Sequence, residues 1–150
     1  MPRTMPSRPT PAPSDASLQK LKQTLTVQPR CGETAARAVG AATGRPRIIS
    51  FKGAYHGGTL GSMAISGHPV QQGVPKTPGL ALIPYRNPYR DGGEKAAAES
   101  AIAELEKLLS GQVPPEEVAA LFLEPIQSDG GMLVPPALWG WAFIRLRVPS

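Results

Sequence analysis

The chain has one cysteine, Cys31, so it can close no internal disulfide and holds no CxxC site, which fits a reducing compartment. Charged residues make up only 18% of its 150 positions, below the usual quarter. No apolar run approaches the ~18 residues that cross a bilayer, so no membrane span is expected. The amino end carries basic residues but no apolar core of a secretory signal. The two histidines, His56 and His68, stand twelve apart with no HExxH motif, so no metal ligand set is assembled. GxGxxG, GxxxxGK[ST] and GxSxG are all absent, which removes the dinucleotide fingerprint, the P-loop and the nucleophile elbow. There is no basic stripe interleaved with aromatics, so no nucleic-acid interface is expected.

What is abundant is glycine (16) and proline (18), together roughly twice the usual share, which argues against a helical bundle or coiled coil. At 15.8 kDa the chain suffices for one domain with a modest core. Sixteen basic residues face eleven acidic ones. Residues 1–30 hold Arg3, Arg8, Lys20, Lys22 and Arg30 against Asp15, so most of the excess sits in a Pro-, Ser- and Thr-rich leader that reads as extended or disordered. A basic, acid-poor leader leaves mitochondrial or plastid transit open, but its five early prolines suit an amphipathic helix badly, and the lack of other signals favours the cytoplasm.

Beyond a weak helical signal within 16–29, the texture changes at Glu33. ETAARAVGAATG reads as a short helix with Gly44 at C′. Ile48 to Phe51 reads as a strand, and residues 53–67, with five glycines, as a loop of special backbone geometry. LALI (80–83) is a second strand. Residues 94–109 are the clearest helix, with Ala98, Ile102, Leu105 and Leu109 on one face and a candidate capping box from Asp91 to Glu94. VAALFL (118–123) is a third strand, without alternation and so expected to be buried on both faces. The order is that of an α/β fold, in which ligands gather at the carboxyl ends of the strands.

Two loops at those ends hold the candidate chemistry. In FKGAYHGGTLG, Tyr55 could stack on a flat ligand and His56 could donate a hydrogen bond. On composition alone the same residues suit an ordinary loop better, and a stacking platform for a nucleotide is the remaining alternative. In LFLEPIQSDGG, Glu124 follows an apolar run, where a carboxylate must be solvated or paired. It could hold an arginine, receive a ligand nitrogen or cap a loop. Gln127 and Asp129 are weaker candidates.

These segments also carry a resemblance. TGRPRIISFKGAYHGGTLGSMAISGH resembles the TGR…F…YHG segment of class III aminotransferases, pyridoxal-phosphate enzymes acting on ω-amino groups of ornithine, acetylornithine, 4-aminobutyrate and relatives. VPPEEVAALFLEPIQSDGGMLVPP resembles that family's AAxxxEPIQGxGG segment. The similarity runs from Glu33 to Ala137. It implies an α/β fold: part of the large domain of a fold-type I transferase, a mostly parallel sheet with flanking helices, working as a homodimer. It implies pyridoxal 5′-phosphate as cofactor, with an amine or amino acid and a 2-oxo acid as substrates. By that resemblance Tyr55 stacks on the pyridine ring, His56 lies beside it in the cofactor site, and Glu124 lies on the substrate side. Gly32, with Glu33, is what remains of the phosphate-binding segment, because positions 27–32 read VQPRCG where the family has SG[ST]EA.

The family's Asp-Glu segment and lysine motif are not found, so no catalytic residue is assigned and these 150 residues alone are expected to be an inactive fragment. The resemblance divides the chain into a leader (1–30), a partial large domain (31–137) and a divergent tail (138–150). GSMAISGH is similar to the racemase and epimerase branch of the same scaffold, which keeps an amino-acid racemase open. A fragment that associates with a full-length relative is the non-enzymatic alternative.

Overall fold

Three short apolar runs pair into a parallel sheet in a computed structural model that describes residues 31–137. The strands β1 (Arg47–Phe51), β2 (Leu80–Ile83) and β3 (Val118–Leu121) lie in the order β2-β1-β3. Ile48 to Phe51 of β1 match Leu80 to Ile83 of β2 in unbroken register. On the other side Arg47 pairs with Val118 but Ile48 with Ala120, an irregularity that leaves Ala119 extra. Arg45 donates to the Val118 carbonyl there (3.3 Å), and Arg47 pairs with Glu117. The signal within 16–29 and the tail 138–150 lie outside the described residues.

The helices are α1 (Cys31–Thr43), α2 (Leu60–Ile65) and α3 (Glu94–Gly111), with 3-10 turns at Pro69–Gln71 and Pro115–Glu117. Ile49 and Phe51 point to one face of the sheet and pack with Ala101 and Leu105 of α3, Ile83, Val113 and Val118. Removing Ile49 and Phe51 from water contributes about 1.5–3 kcal/mol each. Ile48 and Ser50 alternate to the opposite face, where α1 and α2 lie against each other. α1 ends as its sequence suggests: Gly44 takes φ +66° and its N–H closes on the Gly40 carbonyl (2.9 Å).

Four expectations need correction. The glycine-rich stretch 53–67 is not all loop, because it contains α2. Ser62 accepts the Thr59 N–H (3.1 Å) and pairs with the Thr59 hydroxyl (2.8 Å), doing at N3 what Glu or Gln does in the usual box. At the far end Lys76 Nζ donates to the carbonyls of Met63, Ser66 and Gln71 at 2.9–3.0 Å. The buried stripe of α3 is Ala97, Ala98, Ala101 and Leu105, with Ile102 and Leu109 only partly covered. The small residues thus take most of the inner line of α3. No Asp91–Glu94 box forms: Gly93 is the N-cap, Asp91 accepts the Asn87 N–H (2.8 Å), and Glu94 accepts the Ala137 N–H (2.9 Å). In β3 only Val118 is buried, and 119–121 are partly exposed along an edge strand of this sheet. Among the described residues, no helix is long and apolar enough to cross a membrane, and no cluster of three metal-ligating side chains exists.

Candidate functional site

All three strands are parallel, so their carboxyl ends meet on one side. Tyr55 and His56 follow β1, Tyr85 follows β2 and Glu124 follows β3. Two contacts tie these loops together. The Tyr55 N–H donates to Glu124 Oε2 (2.9 Å), and the Tyr85 hydroxyl donates to the Glu124 main-chain carbonyl (3.0 Å). Tyr85 in turn stands edge-on to Phe51, with ring centroids 5.7 Å apart. Burial pushes the Tyr85 phenol up to about 12, with the Glu124 charge adding to it, so the hydroxyl stays a donor.

Tyr55 is 37% exposed, and His68 meets its ring edge-on at 6.0 Å. An aromatic ring partly open to solvent but fixed through its own backbone is what stacking on a flat ligand requires. Beside it, Glu124 is half-buried. Burial raises its pKa above the usual carboxylate value, the Tyr55 N–H opposes that shift, nearby Asp129 adds to it and His68 opposes it. A carboxylate held here favours an incoming cation that restores the lost solvation.

His56 and Gly32 lie elsewhere in this arrangement. The His56 ring turns into the fold: Nε2 bonds Ser50 Oγ (2.9 Å) and the ring meets Phe122 edge-on at 5.8 Å. Its backbone N–H donates to Ser66 Oγ (3.0 Å). Burial lowers its pKa to about 4, so it is neutral at pH 7. The geometry gives it the task of seating the Tyr55 loop on the sheet. Gly32 lies under the same loop, where an added Cβ would stand 2.5 Å from the His56 carbonyl oxygen. Glu33, next to it, accepts the Gly61 N–H (3.3 Å) and pairs with Arg37 (3.5 Å). Gly32 thus packs under the Tyr55 loop, while the Glu33 carboxylate is engaged by Gly61 and Arg37.

Sequence reasoning passed over Ser50, Tyr85 and His68 as site residues. Ser50 was legible only through strand alternation, and the other two carry no local signal. The Tyr55–Glu124 pair is the part of the sequence expectation that the fold brings together.

The class-III aminotransferase profile matches residues 30–142. The chain belongs to that family. Its sheet and helices are part of the fold-type I large domain. It is 44% identical over 105 residues to an alanine/serine racemase of Pyrococcus horikoshii, covering 63% of this chain and 22% of the racemase. It is 34% identical over 107 residues to a 5-aminovalerate aminotransferase of Pseudomonas putida, covering 69% and 24%. Among solved structures, an (S)-enantioselective ω-transaminase from Thermomicrobium roseum superposes with a TM-score of 0.67 at 29% identity, over 79% of this chain and 29% of that one. A taurine:2-oxoglutarate aminotransferase from Bifidobacterium kashiwanohense matches in fold at TM-score 0.69 and 24% identity, over 90% and 35%. The chain thus spans under a quarter of the length of these two curated relatives. Pyridoxal 5′-phosphate is the family's cofactor. The open, backbone-anchored ring of Tyr55 fits the pyridine ring of that group.

Proposed function

We propose that these residues form the ring-binding portion of a pyridoxal-phosphate enzyme that moves an amino group from an amine or amino acid to a 2-oxo acid. The observation behind this reading is the Tyr55 N–H bonded to the Glu124 carboxylate at the carboxyl ends of parallel strands. Pyridoxal phosphate supplies an electron sink for the carbon that loses its proton. Tyr55 covers one face of the pyridine ring and excludes water from it. Glu124 stands on the substrate side, where it holds a cationic group in register. His56, neutral and buried, seats the loop and exchanges no proton with substrate. Lys76 is not the amine of this chemistry, because its three donors are already committed to carbonyls. A polypeptide of these 150 residues alone gives no turnover in this reading, because none of its lysines stands in the family's lysine motif.

The test is amino transfer by the whole protein that contains this chain. Cofactor-loaded protein with 4-aminobutyrate or 5-aminovalerate and 2-oxoglutarate should form glutamate, and Tyr55→Ala should weaken cofactor retention. Full retention in Y55A would defeat the reading.

A second reading is amino-acid racemisation, favoured by the 44% identity to the alanine/serine racemase. L-Alanine or L-serine would then lose optical activity with no 2-oxo acid present or formed. Net glutamate formation dependent on 2-oxoglutarate decides for transfer.

A further inference from the structure

We propose that Gln127 is the positioning residue that sets the spacing between the Tyr55 ring and the Glu124 carboxylate, an inference that rests on the reading of those two residues as the site. Gln127 is polar yet only 1% exposed. Its N–H and C=O both pair with Leu133 at 3.0 Å, closing the loop that follows Glu124. Its side-chain Nε2 crosses to the other loop and donates to the Lys52 carbonyl (3.1 Å). Lys52 is three residues before Tyr55, and Gln127 is three residues after Glu124. One amide therefore joins the residue that follows β1 to the segment beyond Glu124, a second tie between the loops beside the Tyr55–Glu124 bond.

The seat is built for this side chain. Gly53, at φ +83°, and Gly130 both press against the amide oxygen, and an added Cβ would stand 2.7 Å and 2.5 Å from Oε1. Any side chain at either position displaces Gln127. The same Oε1 is buried and has no hydrogen-bond partner among the described residues. An orphaned acceptor destabilises the fold, and methionine would fill similar space without that cost. Methionine would also leave the Lys52 carbonyl without this donor, so the cross-loop bond is what the amide supplies at this position.

Three measurements test the clamp. In the wild-type protein, the Gln127 side-chain amide protons should exchange with solvent about tenfold or more slowly than those of exposed Gln72. Equal rates would overturn the proposal without any variant. In Q127M the Tyr55 amide should exchange about tenfold faster while Ile49 and Phe51 in β1 stay protected. G130A keeps the amide but evicts it, and should reproduce that pattern. Unchanged Tyr55 exchange in both variants would make Gln127 simple core filling and end the proposal. In the cofactor-loaded whole protein, Q127M should shift the absorbance of the bound group and raise KM for the amine more than it lowers kcat. Faster Tyr55 exchange with unchanged absorbance would uphold the clamp and count against the cofactor reading instead.

Discussion

Lowering the pH from 7 to 4 is expected to destabilise this fold through His56, and His56→Gln is expected to remove that sensitivity. The imidazole is held by Ser50 on one nitrogen and packed against Phe122, and burial lowers its pKa from 6.5 to about 4. In the unfolded chain it protonates as the pH falls through 6.5, while the folded protein refuses the proton until about pH 4. Within that window the unfolded state binds more protons, so stability is complete above 6.5 and falls with pH. One extra proton bound by the unfolded chain costs the fold about 1.36 kcal/mol for each pH unit crossed, so the loss by pH 4 comes to about 3 kcal/mol. That is a large part of the ~5–15 kcal/mol that holds a typical domain.

Glutamine suits the control because it can keep the bond to Ser50 but cannot ionise. Losing the edge contact with Phe122 shifts H56Q by a constant that does not depend on pH. Glu124 works in the opposite sense. Its raised pKa favours the folded state in acid, and that contribution is lost as pH rises through the folded value. It is present in both proteins, so the difference between wild type and H56Q isolates the imidazole. Urea unfolding at several pH values between 7 and 4 supplies the free energies. Parallel profiles for the two proteins would refute the reasoning, and so would a folded-state titration of His56 with its midpoint near 6.5.

Leu105→Ala removes the anchor of α3 from the core and should cost about 2–5 kcal/mol in urea melts. Gly32→Ala drives a methyl against the rigid His56 carbonyl, so a loss of about 1–3 kcal/mol is expected in the same assay. Tyr55→Phe keeps the ring and should retain pyridoxal phosphate in the whole protein, whereas Tyr55→Ala should weaken retention about two- to tenfold, in line with the ~0.5–1.5 kcal/mol of an aromatic pair. Equilibrium dialysis of the cofactor reads both variants.

Much of the fold was legible because its signals are local. The apolar runs at 48–51, 80–83 and 118–123 are short, and each holds a strand, although the third stops at Leu121. α1 and α3 announced themselves through alanine content, periodicity and Gly44. What failed depended on distant partners. α2 is capped by an unusual Thr59–Ser62 pair and by Lys76, which arrives from eleven residues beyond Ile65. The inner line of α3 falls mostly on its alanines, which periodicity cannot rank when alanines stand on adjacent faces. The open edge of β3 follows from its place in the sheet, and sequence has no access to strand order.

The site shows the same division. Tyr55 and Glu124 could each be picked out by residue type and by position after an apolar run, but nothing local says that one accepts the other's backbone N–H across 69 residues. His56 was readable as an imidazole and not as an inward one, because its direction is decided by Ser50 and Phe122 on two different strands' paths. Gln127 looked weaker than Glu124 on charge alone. Its weight comes from Gly53 and Gly130, which leave room for one amide and no more. A ring and a carboxylate that must stay a few ångströms apart cannot rely on flexible loop tips, where the Tyr55–Glu124 bond sits partly exposed to water. A second tie, from buried Gln127 to the residue that follows β1, anchors that spacing to the sheet, and the preserved β1 protection expected in Q127M is the sign that would distinguish a lost tie from a lost core.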